Sequence, residues 1–240
     1  MDRNTQLKVF KAQVENVQEL EAAWRHVKRS INRDLVKGNK SAVRLHTKLL
    51  TLVYCAWLEA SFSKLIHTPY GFDLSEIAQI QSASQNGIVN AWKECISIAA
   101  LRVSSGRSNY VPNLIKKLNQ LIEKYVEEPS LLRNKVAHGQ WVKALNRNNV
   151  AINSELTNAL NNLDVVKLDI LRDACKGLCE IVEALIESPE RTFHRDYWIL
   201  LSKLEEHLAR TSKFSLTDKI RLLKSKQPKR TQPNNSGATD

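Results

Sequence analysis

The chain has 240 residues, 42% of them hydrophobic, with 36 Lys and Arg against 25 Asp and Glu and a formal net charge of +11. This is long enough for one substantial domain plus an appendage. Only 7 Gly and 6 Pro favour long helices and argue against a turn-rich β fold. The positive balance suits an acidic partner, nucleic acid first, with ordinary solubility charge as the alternative. Cys55, Cys95, Cys175 and Cys179 form no CxxC pair, and the last two, one helical turn apart, read as core residues. No secretory leader is visible and no run nears the roughly 18 apolar residues of a membrane span. The expectation is a cytoplasmic protein with reduced thiols and no membrane contact.

Residues 6–37 carry Leu7, Phe10, Val14, Val17, Leu20, Trp24, Val27, Ile31 and Leu35 at spacings of three and four, which predicts one long helix ended by Gly38. Its apolar seam needs a partner, either within this chain or in a second copy through a coiled coil. Ser41–His67 is the second predicted helix, apolar on nearly all sides around Leu49–Leu58 and therefore central. Glu59 interrupts that run and needs either solvent or a partner.

Pro69–Phe72 is a turn, and Asp73 or Ser75 can cap a short helix reaching about Ile80. Asn86-Gly87 breaks the chain before an apolar helix over Ile88–Val103. Arg102 and Arg107 border the polar loop 104–109 and are candidate phosphate contacts or plain solvated charges. An amphipathic helix follows over Val111–Val126, and Glu127-Glu128-Pro129 reads as a turn.

The most distinctive run is Pro129-Ser130-Leu131-Leu132-Arg133-Asn134-Lys135-Val136-Ala137-His138-Gly139-Gln140-Trp141. Pro129 suits a first helical turn, Ser130 can offer an oxygen to free N–H groups there, and Gly139 marks the end. At about 100° per residue, Asn134 and His138 share a face, four residues apart. Arg133 lies roughly 140° from His138 by the same count. One straight helix does not aim both at one atom, but they can meet around a phosphodiester or across a two-fold axis. Trp141 and Val142 are expected to anchor this helix in the core.

From Leu145 to Thr157 the pattern weakens, with a turn at Asn146–Asn149 and a short extended piece at Val150–Ile152. Asp164–Ile186 is a long closing helix ended by Ser188-Pro189. Glu190–Leu208 and Leu216–Lys224 are further helices, and the tail from Lys226 reads as disordered. Lys219, Arg221, Lys224, Lys226, Lys229 and Arg230 form a basic cluster that either holds a polyanion or solvates a loose end.

The Arg133-Asn134…His138-Gly139 run, with Trp141 after it, resembles the Arg-X4–6-His signature of the HEPN superfamily, especially its toxin–antitoxin and phage-defence ribonucleases. The resemblance spans roughly residues 40–187. It implies an all-α, HEPN-like helical bundle at 39–188. Around it stand the N-terminal helix at 1–38, a helical extension at 189–225 and the basic tail at 226–240.

It also implies a cofactor-free endoribonuclease, active as a homodimer on RNA, with an antitoxin or defence protein as a possible partner. His138 would move protons and Arg133 would take the phosphorane charge. Asn134 would orient His138 or donate to the phosphate, and Glu59 would approach the pair. The plain alternative is an Arg133 paired with a carboxylate such as Glu59 and a His138 that caps backbone carbonyls. Lys135, Arg102, Arg107, Lys224, Lys226, Lys229 and Arg230 would contact the RNA backbone. Where some relatives carry a regulatory Tyr two or three residues after the His, this chain has Gln140 and Trp141. There is no HExxH, Walker loop, GxGxxG or GxSxG, and His26, His46, His67, His194 and His207 are scattered and read mainly as surface residues.

Overall fold

A seam of apolar residues every three or four positions forms a helix because only that period keeps them on one face. In the computed structural model, which describes residues 2–103, 109–190 and 193–226, this seam is α1, Arg3–Lys37. Asp2 caps its start by accepting the Thr5 N–H at 2.7 Å. Gly38 ends it with φ of 71°, a left-handed conformation that glycine adopts without Cβ strain. Asn39 then caps α2, Lys40–Ile66, by accepting from the Ala42 N–H at 3.2 Å.

The two helices are antiparallel. Arg3 donates to the Phe72 carbonyl at 2.9 Å, and Gln6 donates to the Thr68 carbonyl at 3.3 Å, tying the start of α1 to the end of α2. The α1 seam is therefore used at home: Trp24, Ile31 and Leu35 are buried in the core, although Leu7 stays 40% exposed.

α2 is the axis of the fold, packed against α1, α4, α6 and α8. Among the described residues it alone is long and apolar enough to cross a membrane, and 61% of its most apolar window is buried inside the bundle. The other helices are α3 Leu74–Ser84, α4 Ile88–Ala100, α5 Tyr110–Ile122, α6 Glu128–Ala137, α7 Ser154–Asn161, α8 Val165–Glu187, α9 Phe193–Thr211 and α10 Leu216–Ser225. The protein is all-α, as its composition predicts. Among the described residues a single isolated bridge, Leu145 with Ile152, is the remnant of the expected extended piece.

Three local readings are corrected. The turn expected at Glu127-Glu128-Pro129 is a π-helical turn, Glu123–Glu127, so the chain runs from α5 into α6 without a break. α7 was not expected, although Asn153 caps it by accepting from Leu156 N–H at 2.9 Å, and Leu160 is buried one turn beyond Leu156. Ser130 does not cap free N–H groups; its hydroxyl donates to the Glu127 carbonyl at 2.8 Å.

Pro129 has no N–H to return to the carbonyl of Tyr125 four residues earlier. The buried Tyr54 hydroxyl of α2 donates to that carbonyl instead, at 2.9 Å. Tyr54→Phe should therefore cost about 1–3 kcal/mol, the range for stranding a buried polar group. Urea melts of the two proteins measure this, and an unchanged midpoint would show that the Tyr125 carbonyl has another donor.

One core cluster runs from Trp24 on α1 through α2, α4 and α8 to Leu204 on α9, and Leu216, Ile220 and Leu223 of α10 pack on it. The N-terminal helix and the C-terminal helices thus share the core of the central bundle. A second, smaller cluster joins Val136, Ala144 and Leu160 with Leu52, Leu132, Trp141 and Leu156. It seats the end of α6.

Candidate functional site

α6 is held by its apolar side, and of its polar residues Arg133 and Lys135 are tied down while Asn134 is left free. Val136 is 1% exposed and points into the small cluster. The Trp141 indole folds back and donates to the Val136 carbonyl at 2.8 Å. Val142, expected beside it in the core, is 60% exposed. Gly139, at φ of 77°, reverses the chain, and its N–H bonds the Val136 carbonyl at 3.2 Å.

His138 is the C-cap residue of α6, its N–H bonded to the Asn134 carbonyl at 3.1 Å. Both side chains are exposed, and neither has a side-chain hydrogen bond or ion pair among the described residues. This places an imidazole and an amide one turn apart at the open end of a helix, in reach of one bound group.

Arg133 takes another direction. Its guanidinium pairs with Glu59 of α2, so the carboxylate that interrupts the apolar run of α2 meets the arginine of the signature. Arg133 Nε is buried without a hydrogen-bond partner. Arg133 and Glu59 border a groove of about 440 Å³ between α2, α3 and the start of α4. His138 does not line this groove. Within one chain, then, the arginine and the histidine do not share a pocket, in line with their 140° separation.

The pair itself is only partly shielded, with side-chain exposures of 31% for Arg133 and 49% for Glu59. Solvent screening keeps such pairs below about 1 kcal/mol. Glu59→Gln should therefore shift stability by less than about 1 kcal/mol in chemical denaturation. A larger loss would mean that the buried Nε relies on the pair to hold its position.

His67 also lines this groove, and the reading of it as a surface histidine is corrected: it is 2% exposed. Its Nδ1 lies 2.6 Å from the Ser63 carbonyl, so Nδ1–H donates there, leaving Nε2 to accept from Gln81 at 3.4 Å. Its position at the end of α2, before Pro69, was the available signal of a packed helix terminus. His46 bonds Asp34 at 2.8 Å and His207 lies 3.5 Å from Asp173.

The remaining candidates are scattered. Lys135 donates to the Leu145 carbonyl at 2.7 Å and so braces the loop after α6. Arg102 pairs with Glu76, donates to the Gly71 carbonyl at 2.7 Å and sits over the Phe72 ring at 5.4 Å. Lys224 and Lys226 are exposed at the end of α10, apart from α6. Arg107, Lys229 and Arg230 lie outside the described residues.

Cys55, one turn before Glu59, is no nucleophile: burial pushes its thiol up to about 12, outweighing the opposite pull of Arg133. Among the described residues no three His, Cys, Asp or Glu side chains converge as a metal-type cluster.

No family model, no curated protein and no solved structure matches this chain. The all-α class therefore stands on the chain's own helices, and a functional reading rests on the geometry around α6.

Proposed function

We propose that the protein is a HEPN-type endoribonuclease that cuts RNA without a cofactor, as a homodimer, in a toxin or antiviral defence role. The observation that carries this reading is the free His138 and Asn134 pair at the open end of α6, with Arg133 one residue before Asn134 and tethered by Glu59. In the reaction, the ribose 2′ oxygen attacks the adjacent phosphorus and the bond from phosphorus to the 5′ oxygen breaks. His138 of one copy accepts the 2′-OH proton, and His138 of the other supplies a proton to the leaving 5′ oxygen. Arg133 balances the charge of the phosphorane, for which a permanently charged, forked donor is suited. Asn134 orients His138 or donates to the phosphate.

The scheme requires a two-fold dimer, which brings two Arg133/His138 sets to one cleft. Exposed apolar residues of α6 and the loop after it, Leu131 at 48% and Val142 at 60%, suit such an interface. An antitoxin or defence-system protein covering the same cleft would hold the enzyme inactive.

The test is incubation of the purified protein with mixed RNA in EDTA and analysis of the new ends. The expected products carry 2′,3′-cyclic phosphate and 5′-OH. RNA left intact by the folded protein overturns the reading. In that event the net charge of +11 favours a helical module that binds RNA without cutting it.

A further inference from the structure

A second cavity lies on the other side of α2. It measures about 560 Å³, within the range of small-molecule sites, and is bounded by the α1–α2 turn, the end of α7, the start of α8 and α10. Lys40, Arg44 and Lys48 reach it from one stripe of α2, at i, i+4 and i+8, and Lys224 reaches it from α10. None of these four cations has a carboxylate within ion-pair distance among the described residues.

Lys48 is the unusual member. It is 3% exposed, and its one hydrogen bond runs to the Leu160 carbonyl at 2.5 Å, near the end of α7. An ammonium has three donors, so two remain. A buried charge with no counter-ion is costly, and burial, aided by the nearby Arg44 charge, holds this ammonium below the usual lysine range. The two carboxylates that line the cavity are committed elsewhere. Asp34 bonds His46 at 2.8 Å, and Asp164 accepts the N–H groups of Val166 and Lys167 at the start of α8.

The rest of the wall is aliphatic, including Leu35, Val43, Leu160 and Ile220, with no aromatic ring among its lining residues. Such a wall suits an alkyl chain better than a nucleobase, which gains most from stacking.

We propose that this cavity binds a small anion with an aliphatic body, its carboxylate or phosphate head at Lys48 and its chain along Leu35, Val43, Leu160 and Ile220. The anion supplies the counter-charge that Lys48 lacks and adds contacts to Arg44 and Lys224. The site is separate from α6, so it stands or falls independently of RNA cleavage.

The experiment is calorimetric titration of the full-length protein with decanoate, decyl phosphate, inorganic phosphate and AMP. Decanoate or decyl phosphate is expected to bind, and the tighter of the two identifies the head group. Lys48→Met should weaken that binding by more than about tenfold, the loss expected for one charge-assisted contact. The exposed double variant Arg44→Ala/Lys224→Ala should weaken it as well, and it carries the test if Lys48→Met does not fold. Absence of binding by either amphiphile overturns the proposal. So does binding that neither variant weakens, or equal affinity for inorganic phosphate or AMP.

Discussion

His138→Ala is expected to lower RNA cleavage by about 10²–10⁴-fold, the contribution typical of a positioned general acid or base, with the fold intact. The side chain is exposed and makes no contact that the bundle needs. The backbone of residue 138 bonds the Asn134 carbonyl whatever the side chain is. Its melting curve and dimerisation should therefore match wild type while cyclic-phosphate ends disappear. Arg133→Ala should lose activity comparably, since the proposed phosphorane charge then has no guanidinium. Full cleavage by His138→Ala would reject α6 as the catalytic element.

The largest stability effect is expected at Trp92. It is completely buried on α4, with its ring 4.7 Å from that of Phe62, and Phe62 lines the Arg133 groove. Trp92→Ala removes this packing and should cost about 3–5 kcal/mol. For a chain of this size each kcal/mol moves the melting temperature by roughly 2–4 °C, so the drop should be of order 10 °C. The Trp92 Nε1 also has no hydrogen-bond partner. Trp92→Phe deletes that unpaired N–H along with some volume, and should be much milder. Equal losses in the two variants, measured by thermal melts, would show that the volume removed does not set the cost here.

The main helices were legible in the sequence because each rests on a local rule. The 3.6-residue seam of α1, the all-round apolar α2 and the left-handed stop at Gly38 depend on neighbours within a few positions. The Asn134–His138 relation was legible for the same reason, since helical geometry alone sets it. α7 was obscured because only Leu156 and Leu160 carry its apolar face, too few positions for a period to emerge.

What the tertiary structure decided are the relations between residues far apart in the chain. Glu59 and Arg133 are 74 positions apart, and only the packing of α6 on α2 turns an isolated carboxylate into the partner of the signature arginine. The Tyr125 carbonyl just before α6, which Pro129 cannot serve, is met by a Tyr54 hydroxyl arriving from 71 positions away. Whether the α1 seam covers its own chain was likewise a question of which surface lay opposite. The sequence determines that Lys40, Arg44 and Lys48 share a stripe; that Lys48 is buried without a counter-ion is decided by α7 and the Leu160 carbonyl closing over it. Periodicity fixes a residue's direction on its own helix, but charge pairing and desolvation are set by the atoms that other helices bring to it.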